Sequence, residues 1–244
     1  MGGGDVVVPF CESVDAYVKK GTGIDIALKA MLGMSRLVSI HGSCEETREN
    51  YAQFARAVVN CRMLINHFRY LTSFMNAVDV YKKREGPVLP WLLLIGSFFF
   101  RSLEQVFGDL NYYQMVCMHH WNRTRLSLGY WFFKSLSLTC GFLHELLRMK
   151  SALTSPQWKK RTPKERSEFL KAEIISLTRY ICDMIVYYQW VPWYNPNKTL
   201  QYFCGALCGS LGSYTFWKET QAARLAAAKK ASQPNGVLNG NKTE

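Results

Sequence analysis

Apolar residues recur every three or four positions in the first third of the chain. They are Tyr51, Phe54, Val58, Cys61, Ile65 and Phe68. This spacing places them on one side of an α-helix. Arg56, Arg62 and Arg69 lie off that line or along its edge. The pattern therefore predicts a single amphipathic helix over residues 49–78, with an apolar side that suits a membrane interface and arginines that suit anionic head groups.

Four hydrophobic stretches follow this helix and predict membrane-embedded helices. They cover residues 86–106, 126–143, 174–193 and 199–217. The last stretch carries no charged residue, and at 1.5 Å per residue it reaches about 28 Å, close to the roughly 30 Å of a bilayer core. Two spans and four spans are both compatible with the sequence.

Glycines recur in the last stretch at steps of four and three, at Gly205, Gly209 and Gly212. A glycine costs roughly 1 kcal/mol in a helix relative to alanine. Small residues at this spacing let two helices approach closely in lipid, and glycines also permit close crossing of buried helices in water. We interpret them as a helix-packing face and predict that it supports self-association.

The charge of the chain is unevenly distributed. Lys and Arg number 30 against 18 Asp and Glu, giving a net charge of +12. The excess lies mainly in residues 144–172 and 218–244, beside hydrophobic stretches, whereas a nucleic-acid-binding domain presents a broad basic face. The eight cysteines follow no disulfide or zinc spacing. The sequence therefore favours an anionic membrane as the partner and argues against nucleic acid.

These features predict an all-α fold with three regions. Residues 1–85 form an N-terminal cytosolic amphipathic region, and residues 86–217 form a membrane-embedded region that contains a basic loop at 150–171. Residues 218–244 form a disordered basic tail.

No motif indicates an enzyme, a cofactor or a metal. Cys117, His119 and His120 are close in sequence, but no second cluster completes a four-ligand site. Lys134, Arg179 and Asp183 interrupt the hydrophobic stretches. They suit the lining of a polar pathway, while Arg179 and Asp183, one turn apart, also suit an ordinary helical salt bridge.

The order of the parts resembles the peroxin 11 family. The resemblance rests on the amphipathic N-terminal region, "PVLPWLLLIGSFFFRSLEQVFGDL", a tryptophan followed by "RTRLSLGYWFFKSLSL", and the glycine-rich C-terminal segment. It spans roughly residues 15–217, and within the family the chain is similar to the divergent glycosomal membrane proteins. The resemblance implies an integral protein of the peroxisomal or glycosomal membrane with cytosolic termini. It also implies homo-oligomers or hetero-oligomers with paralogues, and contacts with fission and biogenesis factors.

From the residues and the resemblance together we expect a protein that controls the size, number and division of the organelle. The mechanism would combine insertion of helix 49–78 into the cytosolic leaflet with self-association. The alternative is a pore or carrier for small metabolites, lined by Lys134, Arg179 and Asp183.

Overall fold

Every regular element of the described chain is helical. A computed structural model describes residues 21–84, 86–191 and 194–232. The α-helices are α1 (Gly21–His41), α2 (Glu45–Ile65), α3 (Arg69–Lys83), α4 (Val88–Val116), α5 (Arg123–Thr154), α6 (Pro156–Lys160), α7 (Pro163–Tyr187) and α8 (Lys198–Ser232), with a 3-10 turn at Tyr188–Trp190. The all-α prediction is confirmed for this part of the chain.

The predicted single helix over residues 49–78 is wrong, because α2 and α3 are separated at residues 66–68. Phe68 adopts a left-handed backbone conformation with φ of 61°, which disfavours a bulky side chain. Tertiary contacts hold the break. The Asn66 amide donates to Asp25 Oδ1 over 2.7 Å, and the Phe68 N–H donates to Asp109 Oδ2 over 3.2 Å.

The predicted basic loop at 150–171 is also wrong, because most of it is helical. It contains the end of α5, the short helix α6 and the start of α7. A capping box starts α7, in which the Thr162 hydroxyl accepts from the Glu165 N–H and the Glu165 side chain accepts from the Thr162 N–H. The Thr162 hydrogen bonds hold the pKa of Glu165 below its usual range. Pro163 occupies a helix position that needs no N–H donor.

The long helices form a closed ring. Around the ring α1 packs against α2, α2 contacts α4, α4 packs against α5, α5 against α7 and α7 against α8, and α8 returns to α1, while α3 packs against α4. Helices from residues 21–84 and from residues 86–217 therefore belong to one bundle, although the sequence assigned them to different regions.

The start of the predicted disordered tail belongs to the ring. α8 continues from the glycine-rich stretch to Ser232, so residues 218–232 are helical and the prediction of disorder is wrong for them. Residues 233–244 and residues 1–20 lie outside the described chain, as do residues 192–193 of the third hydrophobic stretch.

None of the helices in the described part of the chain combines the length and the apolar character that crossing a membrane requires.

The bundle buries polar side chains and exposes large apolar ones. Its buried polar residues include Glu104, Asp109 and Glu173, although Asp and Glu are almost never fully buried unless they are paired. The exposed large hydrophobic side chains, which we call the outer apolar surface, lie on all the long helices and, at Phe68 and Met118, in two connecting turns. They are Met31, Met34, Ile40, Tyr51, Phe54, Leu64, Phe68, Leu71, Phe74, Met75, Tyr81, Val88, Leu89, Leu92, Phe99, Val116, Met118, Leu128, Phe132, Leu143, Ile174, Ile181, Leu200, Phe203, Tyr214 and Leu225.

Candidate functional site

The ring encloses a cavity of about 590 Å³, which we call the charged cavity. Each long helix except α3, which contributes only its first residue Arg69, lines it with residues that recur at steps of three or four, and so with one helix face. On α1 these include Asp25, Lys29, Leu32 and Arg36. On α5 they include Arg123, Ser127, Lys134 and Leu138.

Basic side chains outnumber acidic ones in the lining. The basic residues are Lys29, Arg36, Arg62, Arg69, Arg101, Arg123, Lys134 and Arg179. The acidic residues are Asp25, Glu104, Asp109 and Asp183. Eight cations against four carboxylates leave an excess of four positive charges around one cavity.

Three of the four carboxylates form ion pairs across helix boundaries. Lys29 Nζ lies 2.5 Å from Asp183 Oδ1. Arg62 Nε lies 2.9 Å from Asp25 Oδ1. Lys134 Nζ lies 2.9 Å from Glu104 Oε1. Such pairs offset the cost of taking both charges out of water only when the geometry is good and further hydrogen bonds are made.

The fourth carboxylate, Asp109, has a different environment. Its Oδ1 lies 3.1 Å from Nδ1 of His67, and its Oδ2 accepts the Phe68 N–H. The His67 Nε2 lies 2.8 Å from the Tyr113 hydroxyl. Asp109 thus joins α4 to the break between α2 and α3.

Five arginines of the lining lack a carboxylate partner among the described residues, and they are Arg36, Arg69, Arg101, Arg123 and Arg179. Arg36 lies over the Tyr202 ring, 5.4 Å from its centroid. The Nε of Arg179 is buried and has no hydrogen-bond partner in the described chain. A guanidinium is always charged, so the described residues leave these five positive charges of the lining without a carboxylate partner.

The three polar residues of the alternative function, Lys134, Arg179 and Asp183, all line the cavity. The helical salt bridge between Arg179 and Asp183 is absent, because Asp183 pairs with Lys29 of α1 instead. Lys29 Nζ also lies 3.1 Å from the Cys208 sulfur. Residues that are distant in sequence, such as Lys29 and Cys208, thus lie close to Asp183, one of the polar positions predicted from the sequence.

The predicted membrane-interface residues divide between the outside and the inside of the bundle. Tyr51, Phe54, Phe68 and Arg56 are exposed, Ile65 is half-buried and Val58 is buried. Arg62 and Arg69 line the charged cavity. The two arginines therefore do not share the outer surface with the exposed aromatic residues, and Arg62 is held inside by its ion pair with Asp25 of α1.

The helix-packing glycines lie where α8 meets α1 and α7. A Cβ on Gly209 would lie 2.4 Å from the backbone N of Ala30. A Cβ on Gly212 would lie 2.9 Å from Cγ2 of Ile26, whereas the nearest atom to one on Gly205 is 4.0 Å away. The close approach at Gly209 and Gly212 is made within one chain. Self-association through this helix remains a prediction.

Several charged residues of the cavity, among them Asp25, Lys29 and Glu104, were not predicted from the sequence. The sequence does contain a pattern from which they could have been predicted, because in each lining helix the polar residues of the cavity recur with the period of one helix face. Among the described residues, no group of three or more His, Cys, Asp or Glu is placed to hold a metal ion.

Comparisons of the chain with models of protein families, with curated proteins and with solved structures find no match.

Proposed function

We propose that this protein is a membrane-embedded helical bundle that binds small anionic solutes in its charged cavity and carries them across the membrane. The observation that carries the proposal is the excess of cations in the lining. Five arginines without a carboxylate partner among the described residues line one cavity, and a cavity lined by charge of one sign attracts solutes of the other sign. Basic linings are also the means by which anion pores select their solute.

The polarity of the bundle supports a lipid environment. Polar groups inside membrane proteins almost always face the bundle interior or a water-filled cavity, where they pair with one another. Lys134, Glu104 and Asp183 follow this pattern. The same residues lower the mean hydropathy of α4, α5 and α7, and they do so from the inward face of each helix.

The length of the cavity supports transport. On α4 the lining residues extend from Ser97 to Met115, and eighteen steps of 1.5 Å give about 27 Å. This is comparable with the roughly 30 Å of a bilayer core. Arg101 and Arg123 are both exposed and both line the cavity, so the cavity reaches the surface of the bundle.

The test is anion flux in proteoliposomes. We expect the purified protein to carry chloride faster than potassium, with a reversal potential near that of chloride. Arg123→Gln removes a lining cation that has no carboxylate partner among the described residues, and we expect it to lower the preference for anions. Arg125→Gln is the matched control, because Arg125 lies on the same helix, is exposed and does not line the cavity. Liposomes that remain impermeable to all ions would contradict the proposal.

A second candidate function is the organelle-shaping role that the resemblance implies. Exposure of Tyr51, Phe54 and Phe68 favours it, because apolar side chains on the outside of α2 and its C-terminal turn are available to the cytosolic leaflet. The exposed Arg56 is available to anionic head groups. Oligomers, fission factors and a peroxisomal or glycosomal location belong to the same proposal.

Tubulation of liposomes separates the two functions. If the chain shapes membranes, Phe54→Glu lowers tubulation and leaves chloride flux unchanged. If it only carries solutes, the wild-type protein leaves the liposomes spherical while flux persists.

A further inference from the structure

We propose that α6 and the start of α7 form a binding surface for the head groups of anionic phospholipids. We call this surface the basic turn and define it as residues 158–169. The inference rests on the proposed function for the lipid environment of the bundle, and it adds a lipid partner and the end of the bundle at which that partner binds. It is carried by the charge, the exposure and the aromatic contacts of the basic turn.

The basic turn concentrates positive charge at one end of the bundle. It contains five Lys or Arg residues and two acidic residues, and all five cations lie between residues 159 and 166. Lys159, Lys160 and Lys164 are exposed. The carboxylate of Glu165 accepts from the Thr162 N–H over 2.8 Å. Among the described residues none of the five cations forms an ion pair, so their charge is available to a partner outside the chain.

Arg161 is held in place by two aromatic rings. Its guanidinium carbon lies 4.8 Å from the centroid of the Phe169 ring and 5.7 Å from the centroid of the Trp158 ring. The two rings contact each other edge to face, with their centroids 5.6 Å apart. These contacts restrain the plane of the guanidinium group, and its side-chain N–H groups donate to no acceptor in the described chain. A restrained guanidinium group with free donors can give two parallel hydrogen bonds to a phosphate.

Arg166 fixes α6 against the start of α7. Its Nε donates to the Trp158 carbonyl over 3.2 Å, and its Nη2 donates to the Lys159 carbonyl over 2.8 Å. The last carbonyl groups of a helix have no partner within the helix, so these bonds satisfy acceptors that the short helix α6 leaves free. We assign Arg166 as a positioning residue, because it sets the place of Trp158 and of the exposed Lys159 and Lys160.

The aromatic contacts favour lipid head groups over nucleic acid. Single-stranded nucleic acids bind by stacking their bases on open aromatic faces. Arg161 and Arg166 both lie over the Trp158 ring, at 5.7 and 5.8 Å from its centroid, and Arg161 also lies over the Phe169 ring. The guanidinium groups of the chain therefore occupy ring faces that a base would need. A cluster of about four to eight basic residues beside a membrane segment is typical of a surface that binds anionic lipid.

The outer apolar surface continues from the basic turn along α7. Ile174 is 60% exposed and Ile181 is 48% exposed, and a step of seven residues places them on the same side of the helix. Eight steps of 1.5 Å separate Ile174 from Arg166, which gives about 12 Å. A helix with apolar side chains along its length and with basic and aromatic ones at its end matches the acyl region and then the head-group region of a leaflet.

A second cluster of a cation and aromatic rings lies at the same end of the bundle. Arg84 lies over the Trp91 ring, 5.4 Å from its centroid, and Tyr81 stacks on that ring with the centroids 5.9 Å apart. α4 and α5 pack against each other and are joined by residues 117–122, so the two helices are antiparallel. The start of α4, with Trp91, therefore lies towards the end of α5, where α6 follows. Aromatic and basic residues from two separate parts of the chain thus favour this end as the one that meets a charged membrane surface.

The test counts the lipids that the full chain retains in a non-ionic detergent, by native mass spectrometry, from an equimolar mixture of phosphatidylserine and phosphatidylcholine. We expect the wild-type protein to retain phosphatidylserine in preference. Lys159→Gln, Lys160→Gln and Arg161→Gln together, which we call the basic-turn variant, lower this preference roughly tenfold to a hundredfold. Arg161→Lys keeps the charge but loses the planar donors, and it lowers the preference about threefold.

The matched control removes three exposed cations outside the basic turn. It combines Arg48→Gln, Arg125→Gln and Lys198→Gln, at residues that are exposed and do not line the cavity. The control has the same net charge as the basic-turn variant, and we expect it to keep the preference of the wild-type protein.

Three outcomes overturn the surface. They are equal retention of the two lipids by the folded wild-type protein, an equal loss of preference in the control, and displacement of phosphatidylserine from the wild-type protein by a single-stranded RNA. If the basic-turn variant does not fold, Lys159→Gln with Lys160→Gln replaces it, because both side chains are exposed. An unchanged preference in that folded variant also overturns the surface.

Chloride flux in proteoliposomes, measured on the same preparations, tests the proposed function separately. Flux without a lipid preference leaves the proposed function intact and removes only the lipid surface. A lipid preference that is lost in the basic-turn variant, in a protein that carries no anions, leaves the surface intact and removes transport.

Discussion

The outer face of α3 is apolar, whereas the charged cavity is polar. This is the reverse of the arrangement in a protein dissolved in water. Leu71, Phe74 and Met75 are 55%, 47% and 55% exposed. Glu104 and Asp109, on the helix that packs against α3, are buried. In water such an arrangement exposes apolar area and removes charge from solvent, and both are unfavourable. In lipid the exposed apolar area costs nothing, and only the buried charges must be satisfied.

The outer apolar surface and the charged cavity place different requirements on their residues. An outer apolar surface in lipid requires only apolar character, so its residues tolerate exchange. The interior needs defined partners, because a buried polar group without one costs several kcal/mol in a medium of low dielectric constant. We therefore expect substitutions in the cavity to have large effects and substitutions on the outer apolar surface to have small ones.

The largest effect is expected from Asp183→Ala. The substitution leaves Lys29 buried without its ion-pair partner, and breaking a buried pair in this way costs about 3–5 kcal/mol. Chemical unfolding of the detergent-solubilised protein measures the change. Replacing both partners, as Lys29→Met with Asp183→Leu, is the matched control and should recover most of the loss. A single variant as stable as the wild type would show that the cavity is hydrated enough to solvate a free lysine.

A smaller effect is expected at the contact between α8 and α1, and it has opposite signs at two glycines. Gly209→Ala places a Cβ against the Ala30 backbone at 2.4 Å, and overpacking of this kind costs about 1–3 kcal/mol. Gly205→Ala has no atom closer than 4.0 Å and gains roughly 0.5–1 kcal/mol of helix stability. Thermal unfolding of the two variants measures the difference. Equal effects would mean that α8 does not pack on α1 through this face.

The next effect on stability is expected at Phe68, where the outer apolar surface meets the cavity. Phe68 is exposed, while its backbone N–H reaches the cavity residue Asp109. Because φ is positive there, Phe68→Gly relieves about 1–2 kcal/mol of backbone strain. We expect a stabilised protein in equilibrium unfolding. A continuous helix over residues 49–78 predicts the reverse, a loss of about 1 kcal/mol, so the sign of the change decides between the two structures.

The smallest effect on stability is expected from Phe74→Ser on the outer face of α3. Surface substitutions away from special features change stability by about 0.5 kcal/mol or less, and we expect this in detergent. Its effect should appear instead as weaker retention on liposomes in flotation. A large loss of stability in detergent would mean that Phe74 packs against protein.

The all-α fold was predictable because the hydrophobic period is that of a helix in several long segments. The position of the break at residues 66–68 was not. Neither glycine nor proline marks it, and it depends on Asp25 and Asp109, which are distant in sequence from the break. Likewise, the helical basic segment was misread because Pro156 and Pro163 indicate breaks, although each is the first residue of a helix.

The candidate site was predictable in part. Lys134, Arg179 and Asp183 stood out because they interrupt hydrophobic stretches, and all three line the cavity. Arg62 was assigned to the outside, because periodicity shows that a helix has two faces but does not show which one points inward. Its partner Asp25 lies on α1. Only the tertiary packing shows that Arg62 lies on the inner side of α2, whereas Arg56 of the same helix is exposed.

The central claim is that the outer apolar surface contacts lipid while the charged cavity contacts water. The most direct test is electron paramagnetic resonance of spin labels on single cysteines in proteoliposomes. Labels would be placed at Phe74→Cys and Leu89→Cys on the outside and at Ser97→Cys and Ser176→Cys in the cavity. The account predicts that molecular oxygen, which dissolves in lipid, relaxes the two outer labels. It also predicts that a water-soluble nickel chelate relaxes the two cavity labels. Outer labels that are relaxed mainly by the nickel chelate would contradict the account.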